Sequence, residues 1–192
     1  MPLFNTGTRY GAVSQAFHWV TVGLVTAAYL LGAGGPEARV YSAARASGLA
    51  WHETLGILVF AVVLARLLWR LVDPPPQDPP MAAWMEWSAK AVHWLLYAML
   101  VAIPATAILG AYFEGHAITF LGLGAIGPLL PTSHDLGRTI MDLHTTLGSF
   151  IVWVAGLHAA AALYHHFVMR DRVLVSMLPV SERAEPRERV HA

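Results

Sequence analysis

Four apolar stretches, each about as long as a lipid bilayer is thick, constrain this chain more than any other feature. A transmembrane helix needs roughly 20 predominantly apolar residues, and the runs that reach this length lie near 14–33, 51–71, 88–113 and 144–168. Within hydrocarbon every backbone N–H and C=O group must find its partner inside the segment, which favours helices. The sequence therefore predicts an all-α integral membrane protein, built as a four-helix bundle.

The composition agrees with a membrane environment. Of the 192 residues, 56% are hydrophobic and 12% are charged, which is far more apolar than an ordinary soluble domain. Lys and Arg together number 12, as do Asp and Glu, so nothing indicates the basic surface that a nucleic-acid partner requires. Cys is absent, which excludes disulfides, iron–sulfur ligation and covalent haem attachment. We expect membrane lipid, and no nucleic acid, among the partners.

The basic residues predict the orientation of the helices, because Lys and Arg concentrate in cytoplasmic loops. Arg39, Arg45 and Arg138 fall on one side of the predicted bundle. The other nine basic residues fall on the side that holds both termini, and they are Arg9, Arg66, Arg70, Lys90, Arg170, Arg172, Arg183, Arg187 and Arg189. We therefore expect a multi-pass protein of the bacterial inner membrane, with a transmembrane domain over 1–175 and a polar cytoplasmic tail over 176–192.

Seven of the ten histidines lie at or inside the predicted helices, where an ionisable ring is costly and indicates a functional site. Two of them share the pattern His-x-Thr-Leu-Gly at the outer start of a helix, in WHETLG (51–56) and LHTTLG (143–148). Two histidines at one depth on neighbouring helices can bind haem iron from both faces. His52 and His144 are thus a candidate pair, although helix capping and small-residue packing would also explain the repeat.

The fourth predicted helix carries a second inward histidine, His158. It lies 14 residues beyond His144, about four turns or 21 Å along nearly the same face, so one helix can serve two stacked cofactors. A partner for His158 must come from the inner side of the bundle. His18 in AFHWV and His93 in AVHWL both open helices there, and spacing alone does not decide between them.

Other polar residues near the inner side have less specific interpretations. His165 lies on the face of His158 but about 10 Å nearer the interface, while His166 points elsewhere. Together with His93, these two are candidates for a quinone site or for contacts that orient the iron ligands. Arg66 and Arg70, in RLLWR, are candidates for bidentate contacts with haem propionates, and cytoplasmic anchoring explains them equally well.

Several segments along nearly the whole chain resemble the bacterial cytochrome b561 family, especially its small diheme, quinone-linked branch that includes the membrane superoxide oxidase. The most specific of them is GLHAAAALYHHFVMRD, combined with the spacing of the four inward histidines. The segments are RYG with FHW at 9–19, WHETLG at 51–56, RLLWR with its following prolines at 66–76, HWLLY with a later proline at 93–104, and GLHAAAALYHHFVMRD at 156–171.

The resemblance implies a four-helix transmembrane bundle that holds two noncovalent haem b groups. Carried over position by position, it assigns His52 and His144 to the outer haem iron, and His18 and His158 to the inner one. It thereby favours His18 over His93 as the inner ligand. It also implies electron exchange with ubiquinone, and in the superoxide oxidase branch the electrons come from superoxide at the outer face.

Two functions follow as alternatives. The first is a superoxide:ubiquinone oxidoreductase, and the second is a relay cytochrome that takes electrons from an outer donor or a partner protein and passes them to the quinone pool. The predicted outer loops are slightly acidic, which gives superoxide no overall electrostatic attraction. Their charged residues are Arg39, Arg45 and Arg138 against Glu37, Glu53, Glu114, Asp135 and Asp142.

Overall fold

The computed structural model describes residues 2–32, 46–121 and 123–179, and the fold is dominated by four long helices. Arg39, Arg45, Arg183, Arg187 and Arg189, together with most of the predicted tail, lie outside the described residues. In chain order the elements are α1 (Ala12–Gly32), α2 (Ala46–Val72), α3 (Ala83–Phe113), β1 (Ile118–Phe120), β2 (Gly124–Ile126), α4 (His134–Tyr164), a π-helical turn (His165–Met169) and α5 (Val173–Met177).

The long helices form two pairs, α1 with α2 and α3 with α4, and α2 joins the pairs through a smaller contact with α3. Between α3 and α4 the core contains Met99, Ile151 and Val154, and in α2 the side chain of Val63 is fully buried. Many other large apolar side chains are exposed, as expected where lipid rather than protein covers a helix.

Within the described residues, three helical segments are long and apolar enough to cross a membrane: Ser47–Val72, Ala83–Phe113 and His134–Met169. This finding confirms a mostly helical membrane protein. Helix α1 is not among the three, since Gln15 and His18 lower the apolarity of its 21 residues. The fourth crossing that the sequence predicts is therefore not among these segments.

The helices begin earlier than the apolar runs predicted, and the outer loop is partly structured. Helix α4 begins at His134, ten residues before the predicted start at His144. The prediction was late because the first turns carry Asp135, Arg138 and Asp142, which are too polar for a membrane run but compatible with a helix. The strands β1 and β2 form a short antiparallel hairpin, so the fold is not strictly all-α. Backbone N–H groups of Thr119 and Leu121 secure it to the side chains of Glu53 and Thr54 in α2.

The end of the bundle that holds the N-terminus is closed by two short segments. Asn5 donates its backbone N–H to the carboxylate of Asp73 at the end of α2 (3.1 Å) and its side-chain amide to the carbonyl of Pro74 (2.9 Å). Across the same end, Trp19 donates to the carbonyl of Met177 in α5 (3.0 Å). The N-terminal segment, the α2–α3 connection and the chain after α4 therefore share one end, which requires an up-down-up-down arrangement.

Candidate functional site

We call the two ends of the bundle outer and inner after the orientation that the sequence predicts, the inner end being the one that holds the N-terminus. The outer end brings His52 of α2 and His144 of α4 together, with ring centroids 6.1 Å apart. The Nδ1 atom of His52 lies 2.8 Å from the carbonyl oxygen of Ala28, and that of His144 lies 2.8 Å from the carbonyl oxygen of Ile103. A carbonyl only accepts, so Nδ1 must carry the proton in both rings. The Nε2 atom then has a free lone pair, which is the arrangement of a metal-binding histidine.

Backbone packing also restricts the ring of His52. A Cβ added to Gly32 at the end of α1 would lie 2.6 Å from Cε1 of that ring, closer than real Cβ contacts allow. Only glycine thus permits the imidazole to lie this close to α1. On the other pair of helices, the carbonyl of Ile103 that contacts His144 also accepts a hydrogen bond from the hydroxyl of Thr106 (2.8 Å).

The inner end brings three histidines together. His158 of α4 lies between His18 of α1, at 6.3 Å between ring centroids, and His93 of α3, at 5.2 Å. Two imidazoles bound to one iron through bonds of about 2 Å have ring centroids roughly 6 Å apart. All three ring pairs are edge-to-face; those at 6.1 Å and 6.3 Å are close to this separation, and the pair at 5.2 Å is shorter than it.

Two glycines lie one turn deeper than the outer histidines on the same helix faces. Gly56 follows His52 by four residues and Gly148 follows His144 by four, which places each on the face of its histidine. A Cβ added at either glycine would meet no atom within 4 Å, although both residues are half-buried. The bundle therefore leaves room beside both backbones, where a flat macrocycle could approach.

Two arginines of α2 lie near the inner histidines. The guanidinium groups of Arg66 and Arg70 lie over the ring of Tyr97, at 5.4 Å and 5.7 Å from its centroid. Arg66 is also within electrostatic range of His18 and His158. The two arginines line a pocket with residues from every neighbouring element, namely Asn5, Tyr10, Ser14, Trp69, Asp73, Pro75, Tyr97 and Met177.

Tyr10 contributes a phenol to this pocket just before α1 begins. Burial raises the pKa of the Tyr10 phenol above its ordinary value of 10.0, and the positive charge of Arg70 opposes the shift. The group is therefore a neutral hydrogen-bond donor at physiological pH. The pocket therefore combines two cations, the carboxylate of Asp73 and a neutral donor.

His165 has a specific acidic partner. Its Nδ1 atom lies 2.5 Å from Oδ2 of Asp171, and the other carboxylate oxygen accepts from the backbone N–H of Val173 at the start of α5. The π-helical turn and the left-handed conformation of Arg170 (φ 55°) return the chain so that this pair forms. His166 lies on another face beside Phe167, so the adjacent histidines have different environments.

Sequence reasoning identified the histidines but missed the groups that hold them. The carbonyls of Ala28 and Ile103 cannot be identified from residue type, since every residue has a backbone carbonyl. Gly32 and Asp171 were equally unremarkable, because glycine at a helix end and aspartate after a helix are common. Gln15 was not singled out either, although a long amide in an apolar helix is a recognisable signal, because a polar group must find partners when it is buried.

Comparison with known proteins places these observations in a family. The chain matches the model of prokaryotic cytochrome b561 over residues 9–180. The chain belongs to the prokaryotic cytochrome b561 family. It is 31% identical over 179 residues to cytochrome b561 homolog 2 of Escherichia coli K12, covering 93% of this chain and 95% of that protein. It is 30% identical over 177 residues to the probable superoxide oxidase CybB of Yersinia pestis, covering 89% and 96%.

Membership confirms the family that the sequence resembled and makes the protein a membrane electron-transfer protein. The cytochrome b561 family implies b-type haem, and the donor set fits this group. Haem iron takes four nitrogens from the porphyrin and needs only two from the protein. Each of the two imidazole pairs, His52 with His144 and His18 with His158, offers this number of nitrogens.

Proposed function

We propose that this cytochrome b561 is a diheme cytochrome that moves electrons across the inner membrane. His52 and His144 would hold the outer haem iron, and His18 and His158 the inner one. The observation that carries the proposal is the pair of outer imidazoles, each with Nδ1 bound to a backbone carbonyl and Nε2 left for a metal. Bound haem supplies one-electron redox chemistry at each site.

We include α1 as the fourth transmembrane helix. It carries His18 and also supplies the carbonyl of Ala28 to the outer ligand, so it follows the bundle from the inner site to the outer one. Its 21 residues rise about 31 Å, the thickness of the hydrocarbon core. Four crossings place both termini on one side, which the predicted excess of basic residues makes the cytoplasm.

The arginines have a role in this arrangement. Two propionates are the only charged groups on a haem b, and guanidinium groups pair with carboxylates through two parallel hydrogen bonds. Arg66, near the inner histidines, and Arg70, one turn towards the surface, would bind the propionates of the inner haem. Tyr97 supports both cations from the opposite side through its ring face.

For the reaction itself we propose superoxide:ubiquinone oxidoreduction, supported by the similarity to a probable superoxide oxidase over most of both chains. Two superoxide anions each lose one electron and become dioxygen. The two electrons, with two protons, convert one quinone to quinol. Superoxide would react at the outer site, where the carboxylate of Glu53, next to His52 in the chain, accepts a hydrogen bond from the backbone N–H of Thr119.

Quinone reduction needs protons as well as electrons, and the inner end of the bundle offers groups that carry them. His165 is hydrogen-bonded to Asp171, and both side chains are mostly buried, at 12% and 18% exposure. A histidine that donates Nδ1–H to a carboxylate keeps Nε2 available to accept a proton. We propose His165 as the proton-carrying group of the quinone site, with His93 and His166 as neighbouring candidates.

The proposed reaction is tested by difference absorbance spectroscopy of the detergent-purified protein. A superoxide-generating system should reduce the haem bands under aerobic conditions, and a short-chain ubiquinone added afterwards should reoxidise them. Superoxide dismutase added first should abolish the reduction, since it removes the electron donor. Dithionite at the end gives the full amplitude with which the superoxide signal is compared.

Haem bands that respond to dithionite but not to superoxide would contradict the superoxide step. In that case the same bundle would act as a relay for another outer donor, provided that ubiquinone still reoxidises it. Failure of reoxidation by ubiquinone would contradict the quinone step. The two steps are therefore judged separately in one cuvette.

A further inference from the structure

The two histidine pairs differ in what supports their rings. Both outer histidines have Nδ1 bound to a backbone carbonyl of another helix. Within the described part of the chain, no such bond is formed by His18 or His158, whose ring contacts are with His93, Trp19 and one another. Metal-binding histidines usually donate the second ring N–H to an acceptor, so the inner pair requires a further partner.

Gln15 provides an unused acceptor three residues before His18. Its side chain is almost fully buried, with the residue 3% exposed. The amide nitrogen donates to the carbonyl of Tyr10 (3.0 Å) and to the carbonyl of Ser176 (3.2 Å). Both partners only accept, which assigns the amide orientation and leaves Oε1 as the free end. That oxygen is buried and has no hydrogen-bond partner.

The position of Gln15 relative to His18 makes the two groups complementary. Residues three apart lie on one side of a helix, and long helical side chains extend back over the preceding turn. By this rule we expect the ring of His18 on the side of α1 that carries Gln15. The imidazole of His18 needs an acceptor for its N–H and the amide of Gln15 needs a donor for its oxygen, because a buried carbonyl oxygen without a donor is destabilising.

Resting on the proposed function, we infer that Gln15 is the positioning residue of the inner haem. With His18 bound to iron through Nε2, Oε1 of Gln15 would accept a hydrogen bond from Nδ1–H, either directly or through one water molecule. The amide is held for this task by its bonds to Tyr10 and Ser176. The inner site thus uses a side chain where the outer site uses backbone carbonyls.

This contact has an electronic consequence. An acceptor on Nδ1–H makes the imidazole a stronger donor to iron, which stabilises the oxidised state and lowers the reduction potential. Gln15→Leu removes the acceptor with little change in volume. We expect the midpoint potential of one haem to become more positive in this variant, while that of the other haem stays unchanged.

The experiment is an anaerobic potentiometric titration of the purified protein, followed by absorbance, with haem content measured on each sample. Gln15→Glu keeps an acceptor oxygen but loses the bonds to Tyr10 and Ser176, so its inner potential should not rise. Thr21→Val is the matched control, because Thr21 is a buried polar residue of α1 that bonds only to the carbonyl of Phe17. It should leave both potentials unchanged.

An unchanged titration of Gln15→Leu would overturn the inference, as would a positive shift of the same size in Gln15→Glu or in Thr21→Val. The latter results would mean that loosening α5 or α1 alters the potential without the acceptor. None of these outcomes would affect the proposed function, which fails instead if the unsubstituted protein shows fewer than two titrating haems.

Discussion

Replacing His158 by alanine should reduce the haem content from two per chain to one. The ring of this residue is 6.3 Å from that of His18, so its removal would leave the inner iron with one protein ligand. The outer pair lies about 21 Å away along α4 and keeps its own hydrogen bonds. The measurement is a pyridine haemochrome assay on the purified variant, normalised to protein.

His93→Ala is the matched control for this variant. Its ring contacts His158 at 5.2 Å and is the competing ligand that spacing alone could not exclude. We expect two haems per chain after this substitution. Two haems in His158→Ala, or one haem in His93→Ala, would show that the inner ligands are assigned wrongly.

Gly148→Leu should cause the second large effect, which is loss of the outer haem from a protein that still folds. An added side chain meets no protein atom near its Cβ, so the helix bundle should tolerate it. It would occupy the room beside His144 that we assign to the haem. Overpacking typically costs about 1–3 kcal/mol, which corresponds to a loss of haem affinity of roughly five- to 140-fold.

Gly156→Leu controls for the change of residue type in the same helix. Gly156 is exposed, and a Cβ there also meets no atom within 4 Å, but it lies on a different face from His144. Haem retention under dilution should fall in Gly148→Leu and not in Gly156→Leu. Equal retention in both variants would contradict the placement of the haem beside Gly148.

The membrane helices and the functional histidines could be predicted from sequence because both depend on residue type and spacing. Apolar runs of spanning length indicate helices, and His52, His144 and His158 are conspicuous within them. The family that these residues resembled is confirmed. The haem ligand pairs stay predictions, although the two ring separations agree with them.

The helix ends and the hairpin could not be predicted in the same way. Hydropathy detects the part of a helix that lies in lipid, so the polar first turns of α4, which contain Asp135 and Asp142, were counted as loop. The strands of the hairpin are three residues long, too short for a periodic pattern. Their pairing depends on tertiary bonds to Glu53 and Thr54, which no local pattern indicates.

The hydrogen bonds that hold the histidines of the site could not be predicted from the sequence either. The acceptors for His52 and His144 are backbone atoms, and they are identified only once the helices are placed side by side. The pair formed by His165 and Asp171 depends on a π-helical turn and a left-handed residue between them. In an ideal α-helix these side chains, six residues apart, would point in directions about 120° apart.

The most direct test of the account is the haem content of the unsubstituted protein, measured by pyridine haemochrome assay and quantitative amino-acid analysis on one detergent-purified sample. Two facing histidine pairs predict two haem b groups per chain, both released by acid acetone because Cys is absent. One haem per chain would mean that one of the two histidine pairs does not bind haem as proposed. A protein without haem would contradict the central claim.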